Sequence, residues 1–178
     1  MSQLFDSHCH LDFDVFEQDR LQMVTRAKQA GVARFMVPGV AYDNWQQVQT
    51  LARTVAECEY ALGLHPYYLM DHQNEHLIHL EQALQSEVDI RAVGEIGLDG
   101  HLKHLPLEEI EYEKLQMHFF DSQLELAKQY QKPVILHGTK WKSSVFLIGV
   151  WITNMIPVMK MELKTMEFLI RKNTLIRM

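Results

Sequence analysis

The sequence predicts an α/β fold: a parallel (β/α) barrel, incomplete at about five βα units, followed by an atypical C-terminal tail. Three observations predict it. Short apolar runs alternate with longer amphipathic ones from Leu4 to His137, the rhythm of strands joined by crossover helices. The implied strand ends, at positions 8, 38, 64, 95 and 137, recur every 26 to 42 residues. Histidine or glutamate closes most of those runs, as expected of a barrel whose chemistry sits at the carboxyl ends of its strands. An open doubly wound sheet shares the repeat but normally opens with a Gly-rich turn. Here the first strand runs into His8, Cys9 and His10 without a glycine, which favours the barrel.

The candidate strands are Leu4 to His8, Arg34 to Pro38, Tyr60 to Leu64, Ile90 to Glu95 and Pro133 to His137. Residues 18–30 have helical spacing and stop at Gly31, a good residue for a helix end. The second helix is expected to open with Asp43 and Gln46 at capping-box spacing, with Trp45, Val48, Ala52 and Val55 on one face. The third runs from about Asn74 to Glu87 on Leu77, Leu80 and Leu84. The fourth repeats Met117, Phe120, Leu124 and Ala127 at three- and four-residue steps.

After Gly138 the chain changes in kind. Residues 1–138 carry a charge balance of −11 and residues 139–178 one of +5, within a total of −6. The strand–helix rhythm stops there too. We therefore divide the chain into 1–138, the barrel part, and 139–178, a divergent tail of the kind left by truncation or a frameshift.

A net charge of −6 argues against broad electrostatic adhesion to nucleic acid or to an anionic membrane. It leaves a nuclease open, because bound cations can face the phosphate. Two cysteines, Cys9 and Cys58, are too few for a disulfide framework. The polar, acidic start lacks the pattern of a signal peptide. The apolar stretch 145–159, which includes Phe146 and Trp151, is shorter than the roughly 20 residues that span a bilayer. A cytoplasmic protein without a membrane partner is the expectation.

His8 and His10 stand two apart, so on an extended strand both imidazoles share one face and can share one ion. Cys9 then turns toward the helices as a core cysteine. Glu95, which ends a buried strand, has two oxygens that can bridge two ions, and a buried carboxylate without partners would be costly. Two adjacent cations can activate water and steady the oxygens of a phosphodiester.

The segments DSHCHLD (6–12), ALGLHP (61–66), AVGEIGLD (92–99) and KPVILHG (132–138), with QLELAKQY in the fourth helix, strongly resemble the TatD family of metal-dependent deoxyribonucleases. That family belongs to the amidohydrolase-like barrels of TIM type. The resemblance implies two divalent ions (magnesium, manganese or zinc). His8 and His10 would bind the first, Glu95 would bridge and act catalytically, and His137 would bind the second. His65 would sit by the substrate phosphate and Asp99 would shape the same loop. DNA or another phosphoester would be the substrate, and the full-length protein a monomer.

The departure is equally specific. The family continues with motifs like HCFSG and ETDAP, which bring a further histidine and a metal-binding aspartate. After Gly138 this chain has no histidine and no aspartate. Catalytic incompetence, as a metal-binding fragment, is therefore one expectation. An amidohydrolase acting on a C–N bond is another, disfavoured because no lysine accompanies His137 at its strand end. His72, His76 and His79 are expected to decorate a solvated segment, and His101 and His104 to belong to a plain loop.

Overall fold

The structure, a computed structural model, describes residues 4–101 and 106–139. Five strands form one sheet: β1 (Leu4–Asp6), β2 (Val32–Pro38), β3 (Cys58–Leu62), β4 (Ile90–Asp99) and β5 (Val134–Thr139). They lie in sequence order and every neighbouring pair is parallel. Four helices connect them: α1 (Arg20–Gln29), α2 (Tyr42–Thr54), α3 (Asn74–Ser86) and α4 (Glu109–Gln129). Short 3-10 segments at Asp14–Phe16 and Pro66–Asp71 ride on the carboxyl ends of the strands.

Strand alternation sorts the core into two faces. Phe35 and Val37, Tyr60 and Leu62, and Val93 and Ile96 face the helices in the main apolar cluster. Met36, Ala61 and Ala92, flanked by Phe5 and Ile135, form a second cluster on the other side. That layer takes one residue from each of the five strands. α2 buries Trp45, Val48 and Leu51 against β3, and the Trp45 indole donates to Gly63 O at 2.9 Å. α4 buries an apolar stripe interrupted by Gln116 and Gln123, both almost inaccessible to solvent.

The sheet is a curled half-barrel. Strands about 4.8 Å apart in a flat sheet would leave β1 about 14 Å from β4. Yet His8, just past β1, lies 3.0 Å from the Glu95 carboxylate of β4. β1 and β5 are its two edges among the described residues.

Three expectations need correction. β4 does not end at Glu95 but continues to Asp99, with a register irregularity between Val93 and Ile96. The extension is possible because Gly97, at φ 151°, carries no Cβ where the carbonyl oxygen of His137 sits. β1 stops at Asp6, so His8 and His10 lie beyond the ladder, tied to it by Cys9 N donating to Met36 O at 3.0 Å. α2 is not capped by Asp43 and Gln46. Asn44 Oδ1 instead accepts from Val40 N at 2.9 Å and Ala41 N at 3.2 Å. Cys9 packs against the main core as expected, and burial pushes its thiol pKa up. The tail after Thr139, including Phe146 and Trp151, and His104 lie outside the described residues. Among the described residues no helix is long and apolar enough to cross a membrane.

Candidate metal centre

Loops leaving β1 and β3 and side chains on β4 and β5 meet at one point, the Glu95 carboxylate. Glu95 N donates to Gly39 O at 2.8 Å, which ties this part of β4 to the end of β2. Beside it Gly63 and Gly94 touch backbone to backbone. A Cβ on Gly63 would stand 2.6 Å from Gly94 C, so only glycine allows the approach.

The two carboxylate oxygens divide the surrounding histidines. Oε2 lies 3.0 Å from His8 Nε2 and 3.5 Å from His10 Nε2, and those two nitrogens are 3.2 Å apart. Oε1 lies 3.3 Å from His137 Nδ1 and 3.6 Å from His65 Nε2. Burial acts to raise the Glu95 pKa, but the hydrogen bonds of His10, His137, His65 and His8 outweigh it and hold the carboxyl well below its usual range. His137 has burial working against its charge, yet Glu95 and Asp99 together raise its pKa. His65, more deeply buried, is lowered in spite of Glu95.

Donors bound at about 2.0–2.2 Å to one ion stand about 3.0–3.6 Å apart in tetrahedral or octahedral shells. The His8, His10 and Glu95 Oε2 separations match that spacing, and all three donors suit a divalent ion. Glu95 Oε1 and His137 Nδ1 offer the start of a second position. The far nitrogen of His137, Nε2, faces Asp99 Oδ2 at 3.2 Å and Thr139 Oγ1 at 3.3 Å. A carboxylate behind a histidine in this way fixes its tautomer and ring orientation.

His65 also lies within reach of the second position, but its hydrogen bonding argues for another role. Tyr67 N donates to His65 Nδ1 at 3.0 Å, so the hydrogen of the neutral ring is on Nε2. A nitrogen carrying hydrogen donates rather than ligates. His65 therefore presents N–H to Glu95 Oε1, or to any oxygen that replaces it.

The structure thus brings together His8, His10, Glu95, His137 and His65, with Asp99 behind His137. His101 is exposed and turns only its backbone N to Asp99 Oδ1, at 2.7 Å. The expectation for His72 needs correction. It is buried, not solvated; its Nε2–H donates to His65 O at 2.9 Å, and burial pushes its pKa down to about 4. The 3-10 turn from Pro66 folds it back beneath His65. His76 and His79 stack on Tyr42 rather than standing free.

Sequence reasoning missed Asp12, Asn44, Gln116 and Gln123. Gln123 Oε1 accepts from Leu64 N at 2.7 Å and its Nε2 donates to Leu64 O at 3.2 Å. Gln116 does the same for Asp99, at 2.8 and 3.2 Å. The available signal was two glutamines seven apart inside an apolar stripe.

Comparison with known proteins identifies the family and its fold. The family model described as TatD related DNase matches residues 5–150. An uncharacterized metal-dependent hydrolase, YjjV of Escherichia coli K12, is 40% identical over 139 residues, covering 78% of this chain and 51% of that protein. The 3'-5' ssDNA/RNA exonuclease TatD of Erwinia billingiae is 33% identical over 135 residues, covering 75% and 49%. The chain therefore spans about half the length of the curated relatives it matches. The crystal structure of E. coli YjjV superposes with a TM-score of 0.75 at 35% identity, over 92% of this chain and 62% of that one. A TatD family hydrolase from Entamoeba histolytica shares the fold, with a TM-score of 0.71 at 17% identity over 86% and 56%. The chain belongs to the TatD-related DNase family.

Proposed function

We propose that these residues form the larger part of a two-metal phosphodiesterase centre acting on single-stranded nucleic acid. The observation that carries the reading is the division of Glu95: one oxygen faces His8 and His10, the other His137. His8 and His10 would hold the first ion, His137 would hold the second, and Glu95 would offer one oxygen to each. When bound, a pair of divalent ions (magnesium, manganese or zinc) supplies an activated water and neutralises charge on the phosphoryl oxygens. The protein's own part is placement. Asp99 keeps His137 turned toward Glu95. His65 directs Nε2–H at the space beside Oε1, where a phosphoryl oxygen can accept it. Glu95 itself is almost fully buried, so charge interactions about its carboxylate are correspondingly strong.

The family resemblance calls for one more histidine and an aspartate from later strands, and residues 139–178 contain neither. We therefore propose that this 178-residue polypeptide retains metal but turns over slowly at best. The test is degradation of an end-labelled single-stranded oligonucleotide with magnesium or manganese, beside a His137→Ala control. Turnover at or near background in both is expected. Fast metal-dependent turnover abolished by His137→Ala would show that the residues present suffice.

A further inference from the structure

His10 Nδ1 and Asp12 Oδ1 are both buried, both lack a hydrogen-bond partner, and lie 4.0 Å apart. Leaving two buried polar groups without partners is costly. Here they face one another, one able to donate and the other to accept.

Asp12 is held from several directions. Its Oδ2 accepts from Asn44 Nδ2 at 2.8 Å, and its backbone oxygen accepts from Arg20 Nη2 at 2.9 Å and Gln47 Nε2 at 2.6 Å. Asn44 is fixed in turn, because its Oδ1 caps α2 through Val40 N and Ala41 N. The partly exposed His10 ring is stacked on Phe13 at 4.7 Å and 14°, an arrangement that lets it slide in its own plane. On the opposite side of the centre the equivalent pair is already closed, with His137 Nε2 3.2 Å from Asp99 Oδ2.

We infer that Asp12 is the positioning residue of His10: when His10 Nε2 engages an ion, Nδ1 carries the hydrogen and donates it to Asp12 Oδ1, locking the ring toward Glu95. The inference rests on the metal reading above. Asp12 touches neither ion nor substrate, and acts only through His10.

The network dictates the test. In Asp12→Asn the single carboxamide oxygen must answer Asn44 Nδ2, because Asn44 cannot flip without uncapping α2. The new amide N–H2 then confronts His10 Nδ1–H. Adding Asn44→Asp reverses the polarity: that carboxylate still accepts from Val40 N and Ala41 N, and also takes the new amide. The amide oxygen is then free for His10.

Zinc titration by calorimetry on wild type, Asp12→Asn and the double variant reads the outcome. We expect Asp12→Asn to weaken the first-ion affinity about 10–100-fold, the usual cost of losing such a partner, and the double variant to recover most of it. The His137 position should be unchanged in all three. In zinc-loaded wild type, nitrogen-15 NMR should show a slowly exchanging His10 Nδ1–H, which reads the bond without any variant. Wild-type affinity in Asp12→Asn, no recovery in the double variant, or a freely exchanging Nδ1–H would each overturn the inference. Absence of zinc binding by wild type would bring down the metal reading itself.

Discussion

Gln123→Leu is the perturbation that best measures how the centre is built. The side chain is fully buried and occupies both peptide groups of Leu64, the residue before His65. Leucine fills a similar volume but offers neither donor nor acceptor. The substitution strands one buried N–H and one buried C=O, at about 1–3 kcal/mol each. It regains about 1–2 kcal/mol by placing an apolar side chain in an apolar site. The net loss falls in the range of about 0–5 kcal/mol and centres on about 2.5 kcal/mol. Phe119 O, which also accepts from Gln123 Nε2, keeps its helical bond and adds little.

Urea unfolding followed by circular dichroism reads this directly. With a slope of about 2 kcal/mol per molar, the midpoint should fall by about 1 M. Gln129→Leu, an exposed glutamine on the same helix, should stay within about 0.5 kcal/mol of wild type. If Gln123→Leu matched that control, Leu64 would have found other partners, and α4 would not be holding the loop.

Two further outcomes follow from the histidines. The folded pKa of His72, about 4, lies below its ordinary 6.5, so the unfolded chain takes up the proton first as pH falls. Its contribution is intact above about pH 6.5 and is lost toward pH 4, about 2 kcal/mol between roughly pH 7.5 and pH 5. His72→Gln keeps a donor for His65 O, and should flatten that slope in paired urea titrations; equal slopes would refute the burial argument. His65→Ala should leave zinc affinity within about threefold of wild type, whereas His137→Ala should lose about 10-fold or more. Equal losses would make His65 a ligand and reverse the tautomer assignment.

What the sequence made legible was what alternation and strand-end position control. His8 and His10 share a face because they are two apart, and the apolar runs mark the strands to within a few residues. What stayed hidden depends on contacts between distant segments. The extension of β4 to Asp99 needs Gly97 to fit against His137 O, a fact about β5. His72 reads as part of a polar string, DHQNEHLIH. Only the 3-10 turn from Pro66 to Asp71 carries it under His65. Asn44 looks like one more polar residue of a first helical turn, since its partners Val40, Ala41 and Asp12 come from two other loops. The His8, His10, Glu95 and His137 convergence needs the curl of the sheet, which no local pattern encodes.

The supports behind the centre have a common chemistry. Leu64 is held by Gln123, Asp99 by Gln116 and Asp12 by Asn44, and each amide uses both its oxygen and its nitrogen. An amide side chain is neutral and carries donor and acceptor together, so it can pair a peptide group as another strand would. A hydroxyl on α4 is too short to span both groups of Leu64 or Asp99. A carboxylate offers no donor for their carbonyl oxygens and would add negative charge beside Glu95 and Asp99. A lysine would answer only the carbonyls and would leave its own charge buried among apolar neighbours. With glutamine, the backbone at both ends of the site is fixed without another charge at its core. The ionic interactions stay with Glu95, Asp99 and the histidines, where the strand ends bring them together.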